Sequence, residues 1–261
     1  MRALYTAATG MRAQEQNVEV ISNNIANMRT TGFKRQRAQF QDLLYVDMRR
    51  QGTTTSEAGT RVPTGIQMGS GVKLAATGRV MSQGSVSPTE KELDVAVRGE
   101  GFFQIELPDG RIGYSRDGGF ERDAEGQLVT VDGLLVQPGI VIPELAKQIS
   151  ISNQGVISVQ EPGQDGETVL GQIELARFVN KGGLRAIGDN LFVETEASGA
   201  PQLGAPGDPG FGSVLQGYLE EANVNPVTEI ADLIAAQRAY EMNSRTVKAS
   251  DEMLAATANL R

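Results

Sequence analysis

After Pro226 the chain runs to Arg261 without another glycine or proline. Asn225 offers an N-cap, and Pro226 suits the first helical position, where a missing N–H costs nothing. Residues 225–261 therefore predict one helix, roughly 50 Å long at 1.5 Å per residue. Its apolar residues recur by sevens: Leu233, Tyr240, Val247 and Leu254 form one stripe, widened near the start by Val227, Ile230 and Ile234. Three positions after each member of the heptad stand Ala236, Asn243, Ser250 and Thr257, all small or polar. Such a narrow seam fits another helix rather than the surface of a large core, and the helix is not stable alone.

The partner is at the opposite end of the chain. Leu4, Met11, Val18 and Ile25 share one heptad position, and Ala7, Gln14, Ile21 and Met28 follow three residues on. Six of these eight are large and apolar, so the two ends are expected to join as a coiled coil. Gly10 weakens the first helix by about 1 kcal/mol relative to alanine. The polar residues on or beside the seams, Gln14, Asn24 and Asn243, either fix register from inside or face solvent.

Between the helices the chain changes character. Residues 49–71 are rich in Gly, Thr, Ser and Pro and read as an extended arm or hairpin without a core of its own, with a flexible linker as the alternative. From 93 to 195, short β-branched or alternating runs predict strands near 95–97, 102–107, 111–115, 127–131, 134–136, 140–142, 149–151, 156–159, 169–179 and 191–195. Asp109-Gly110, Asp117-Gly118, Asp132-Gly133 and Asp165-Gly166 supply turns. Residues 198–217 return to Gly, Pro, Ala and Ser and lead back to the last helix. The expected fold is α+β, with paired N- and C-terminal helices forming a core and an antiparallel β-rich domain and an extended arm inserted between them. The expected division is 1–32 for the N-terminal core helix, 33–75 for a connecting region with its arm at about 46–66, 76–215 for the β-rich outer domain and 216–261 for the C-terminal core helix.

Several chemistries are excluded by composition. With no Cys and no His, the chain lacks thiolates, the usual zinc ligands, an imidazole base and every Ser-His or Cys-His arrangement. Ser70-Gly71-Val72-Lys73 has the spacing of an acyl-enzyme motif, but its glycines place the serine in loop or strand. Gly69-Ser70-Gly71 and Gly99-Glu100-Gly101 lack the third glycine of a dinucleotide fingerprint, and Asp117 with Asp123 misses the calcium-loop spacing. Glu220-Glu221 and the pair Glu90 and Glu92 read as solvated surface rather than a glycosidase couple. No cofactor, metal or small-molecule substrate is expected. Residues 1–50 carry net +4 and the remainder net -12, a balance that speaks against nucleic acid as a partner. No apolar run reaches the length of a membrane-spanning helix, and the first residues lack a secretory apolar core, so export is expected to proceed without a cleaved signal.

Three motifs in order make the chain similar to the flagellar rod and hook family of bacterial axial proteins. They are Ser22-Asn23-Asn24-Ile25-Ala26-Asn27 with Thr31-Gly32-Phe33-Lys34, then Val97 to Phe103 with Tyr114-Ser115-Arg116-Asp117-Gly118, and Gln237-Arg238-Ala239-Tyr240-Glu241-Met242-Asn243-Ser244. The resemblance covers nearly the whole chain, and its length and Gly/Thr-rich arm match the distal-rod branch. It implies a non-enzymatic subunit that leaves through the flagellar type III export apparatus and polymerises with itself into a helical tube. Such a tube meets proximal rod and hook subunits at its ends and passes through peptidoglycan and the outer-membrane ring bushing. The terminal helices would then form the tube core and the β domain its shell. A proximal rod or hook-like subunit, and an enzyme acting on peptidoglycan, are the alternatives.

Overall fold

The computed structural model describes residues 2–52, 63–146, 148–161 and 166–259. The chain is α+β and divides into two units. The first comprises Met1–Ile25, Gln36–Gly78 and Asn225–Arg261; the second comprises Ala26–Arg35 and Arg79–Val224. Their charges differ sharply. The first holds eleven basic and ten acidic side chains, and the second thirteen basic and twenty-two acidic, net -9.

In the first unit, helix α1 spans Arg2–Ala26 and helix α2 spans Pro226–Asn259. Asn225 caps α2 as its sequence predicts, its Oδ1 accepting from the N–H groups of Val227 at 3.0 Å and Thr228 at 3.4 Å. Two antiparallel ribbons complete the unit, Gln36–Asp42 with Val72–Arg79 and Tyr45–Arg49 with Ile66–Gly69. Thr9 of α1 sits tight against Gly71, which has φ +119°, and its Oγ1 accepts from the Val72 N–H at 3.3 Å.

The second unit is built on a six-stranded antiparallel sheet in the order Arg185–Gly188, Leu191–Val193, Ile112–Ser115, Phe102–Glu106, Leu175–Arg177, Gln202–Gly204. Because successive side chains on a strand point to opposite faces, adjacent Phe102 and Phe103 serve two different cores. Phe103 joins Val95, Ile105, Phe120, Ile142, Ile157, Leu175 and Val214, and its ring meets Phe120 edge-on at 5.0 Å. Phe102 joins Tyr114, Phe178 and Phe192 on the other face, with Tyr114 and Phe178 also edge-on at 4.8 Å. Burial of a side chain of this size stabilises by roughly 1.5–3 kcal/mol.

A three-stranded sheet (Gln148–Ile151, Val156–Gln160, Glu167–Gln172) and three two-stranded pairings close the unit. Asp109-Gly110 and Asp132-Gly133 turn with Gly110 and Gly133 both at φ +79°, as expected. The tightest hairpin turns instead at Asp189-Asn190, both at positive φ. Asp165 lies outside the described residues.

Beyond the expected strand runs, which end at 195, the 198–217 segment adds two more. It carries strands Gln202–Gly204 and Ser213–Gln216, and the second pairs antiparallel with Val95–Arg98 so that Val214 is fully buried. The strands are three and four residues long, flanked by glycine and proline, and their partners are distant in sequence. A local pattern does not show such pairing.

Candidate assembly surface

Two contacts between the terminal helices show how they run. Asn24 is buried, and its amide is satisfied on every side. Its Nδ2 donates to Glu229 Oε2 at 3.1 Å and to the Gln36 carbonyl at 2.9 Å, and its Oδ1 accepts from the Gln36 N–H at 2.8 Å. Farther along, Gly10 faces Asn243 so closely that a Cβ on residue 10 would stand 2.9 Å from Asn243 Nδ2. Asn24 to Gly10 runs backward along α1 while Glu229 to Asn243 runs forward along α2, so the helices are antiparallel.

The inward row on α2 is the small and polar one. Glu229, Ala236 and Ser250 are buried and Asn243 half-buried, and the buried residues of α1 are Ala7, Ala13, Ile21 and Asn24. Among the seam residues named from sequence, Ile21 is buried, while Leu4, Met11, Val18, Ile25, Leu233 and Val247 are half-buried. Met28, Ile230, Tyr240 and Leu254 remain exposed in the single chain. Val227, Ile234, Met242 and Met253 add to this exposed apolar surface, and Val227 keeps 76% of its surface.

The arm begins on an equally open ribbon. Every residue of Tyr45–Arg49 and Ile66–Gly69 is exposed, and Val46 stands directly opposite Met68. Leu44, just before it, keeps 86% of its surface. A lone two-stranded ribbon is marginally stable in water at best. Of the arm expected at 46–66, residues 53–62 lie outside the described residues.

The remaining motif residues have different surroundings. On the helices, Asn23, Gln237 and Arg238 are exposed. In the β-rich unit, Asn27 Oδ1 accepts from Thr30 Oγ1 at 3.2 Å, and Phe33 is half-buried. Gly32 has φ +67°, and a Cβ there would lie 2.8 Å from the Arg116 carbonyl carbon. Its N–H donates to the Glu220 carbonyl at 2.7 Å. Glycine is required here by both conformation and space.

Beside it is a buried charge cluster. Lys34, Arg116 and Glu220 are 1%, 3% and 1% exposed. Lys34 Nζ donates to Glu220 Oε1 and, at 2.9 Å, to the Ser82 carbonyl. Arg116 Nη1 reaches Glu220 Oε2 at 3.3 Å, and its Nη2 donates to the Gly99 carbonyl at 2.7 Å. The Gly84 N–H completes the carboxylate at 2.8 Å. Burial pushes both the Lys34 amine and the Arg116 guanidinium below their ordinary values, and the Glu220 charge opposes the shift in each.

Glu220 therefore corrects its reading as solvated surface. Only its neighbour Glu221 is exposed, and nothing in a Glu-Glu dipeptide signals that one member is caged. The cluster joins Lys34 of the first motif to Arg116 of the second, which sequence spacing did not connect. Among the described residues no group of His, Cys, Asp or Glu side chains could hold a metal ion. None of the described helices is long and apolar enough to cross a membrane.

Family models match along the chain in three places. Residues 4–34 match the flagella basal body rod protein model, 96–159 the flagellar hook protein FlgE/F/G D1 domain, and 215–260 the flagellar basal body rod FlgEFG protein C-terminal region. The chain is 56% identical over 261 residues to the flagellar basal-body rod protein FlgG of Caulobacter vibrioides, covering 100% of both chains. It is 48% identical over 263 residues to the protein of the same name from Borreliella burgdorferi, covering 100% of this chain and 99% of that one. A third relative of that name, from Bacillus subtilis, is 36% identical over 269 residues, again covering 100% and 99%. With motifs, matched segments and full-length identity in agreement, this chain belongs to the flagellar basal-body rod protein family.

Proposed function

We propose that the chain is a structural subunit of the flagellar distal rod, not an enzyme, and that it polymerises into a hollow helical tube carrying torque from motor to hook. The observation that carries this reading is end-to-end identity with basal-body rod proteins, 56% over the whole chain in one case. The exposed apolar surface of α2 and of the arm stem supports it physically, because a chain that leaves Ile230, Ile234, Tyr240 and Leu254 open in isolation gains by covering them. A head-to-tail contact that does not close into a ring produces a filament.

In this reading the terminal helices pair as a coiled coil at the tube core. The seam residues Leu4, Met11, Val18, Ile21, Ile25, Met28, Ile230, Leu233, Tyr240, Val247 and Leu254 are shared between that pairing and contacts to neighbouring copies. Proximal rod and hook subunits cap the two ends, and peptidoglycan and the outer-membrane rings surround the periplasmic shaft. Export proceeds through the flagellar type III apparatus. The arm at 46–66 bridges adjacent subunits and stiffens the shaft, so tubes of a chain lacking those residues bend more under load; unchanged bending stiffness would refute that role. The test of the whole reading is electron microscopy of the full-length chain at rising concentration. Hollow tubes of one diameter are expected, and a chain that stays monomeric at every concentration contradicts it.

A further inference from the structure

Hydrophobicity alone does not explain which face of α2 meets α1. The row Leu233, Tyr240, Val247 and Leu254 is larger and more apolar than the row Glu229, Ala236, Asn243 and Ser250, yet the second row holds the buried positions. Two contacts distinguish that arrangement, one a buried hydrogen bond and the other a close steric fit. Glu229 accepts from Asn24, which the Gln36 backbone holds in place from the other side. Asn243 fills the space left by the missing side chain of Gly10. The two contacts are fourteen residues apart on each helix, two heptads, so both belong to one register. A buried amide that loses its partner costs far more than an apolar pair that slides, so the Asn24 hydrogen bond, together with the close fit of Asn243 at Gly10, rejects neighbouring registers that apolar contacts tolerate.

We propose that Asn24–Glu229 and Gly10–Asn243 are register pins. They select the small, polar row of α2 for pairing within the chain and thereby keep Ile230, Ile234 and Met242 outward for the next subunit. The outward role rests on the rod-subunit reading; the selection of register does not.

The chain has no cysteine of its own, so paired cysteines report register directly. Asn17 and Ala236 lie midway between the pins and face each other in the pinned register; Tyr240 is one helical turn further along α2. In full-length protein, disulfide formation within one chain is compared for N17C/A236C and N17C/Y240C. The first pair is expected to form about tenfold faster, and E229L/N243A is expected to abolish or invert that preference, because the lost buried hydrogen bond carries discrimination of this order. E229L leaves the Asn24–Gln36 bonds in place, and E229Q, which still offers Asn24 an acceptor, is expected to restore the preference.

An unchanged ratio in E229L/N243A overturns the proposal. So does an equal slowing of both pairs, which marks the contacts as merely stabilising, and so does a parent chain without preference. Electron microscopy of the chain without added cysteines runs alongside. Failure to form tubes with the cross-linking preference intact counts against the rod reading and leaves the pins standing.

Discussion

In the β-rich unit Phe102, Phe103, Phe120, Phe178 and Phe192 are all buried, and even a Lys–Glu–Arg cluster is sealed from water. Along α2, in the other unit, Val227, Ile230, Ile234, Tyr240, Met242, Met253 and Leu254 stay exposed. The two units share one chain and similar apolar residue types. The β-rich unit encloses its large aromatic side chains in two internal cores, while Val131, Leu145, Val169 and Val179 stay exposed singly on its surface. The helical unit carries its exposed apolar residues in rows along α2 and on an open ribbon, which is the condition of a surface completed by another molecule.

Substitutions can break that contrast, and the largest expected effect is on assembly. Leu233→Asp or Ile25→Asp places a charge in the helix seam, costing several kcal/mol where it is desolvated without a partner. Tubes are expected to be lost while the circular dichroism of the β-rich unit persists; normal tubes from either variant contradict the seam assignment. Next comes Glu220→Ala. It leaves Lys34 and Arg116 buried without their anion and is expected to cost about 3–5 kcal/mol in urea unfolding. A loss below 1 kcal/mol would mean that water reaches the cluster.

The terminal helices and most strands of the β-rich unit were legible in the sequence, and side-chain partners remote along the chain were not. Heptads and the Asn225-Pro226 start are local signals, and α2 begins where they place it. Strand positions at Val95–Arg98, Phe102–Glu106 and Ile112–Ser115 followed from β-branched and aromatic runs. Glu220 carries no such mark, since its partners at 34, 84 and 116 are remote in sequence and only the folded chain collects them. The buried row of α2 was hidden for a different reason. Its selection coincides with a glycine notch and a caged amide, while the periodicity points to the more apolar stripe beside it.

Two smaller effects sharpen the contrast within the β-rich unit. Gly32→Ala forces a side chain into positive φ and against the Arg116 backbone, with an expected loss of about 1–3 kcal/mol by the same unfolding measurement. No loss would show that the segment repacks freely. Burial pushes the Tyr114 hydroxyl from its ordinary 10.0 up to about 12. The folded chain therefore holds this proton after the unfolded chain has released it. The resulting stability is present below pH 10 and is lost as pH rises toward about 12. Tyr114→Phe should flatten that part of the pH profile of unfolding; an identical profile would assign the slope to other groups.

Hydrogen exchange read residue by residue, on the full chain below and above the concentration at which tubes form, tests the division between the units most directly. Amides of Val95–Arg98, Phe102–Glu106 and Ile112–Ser115 should be protected equally at both concentrations. Those of α1, α2 and Tyr45–Arg49 should gain strong protection only as tubes appear. Protection of α2 equal to that of the β-rich unit in the dilute chain, unchanged on concentration, would contradict the account.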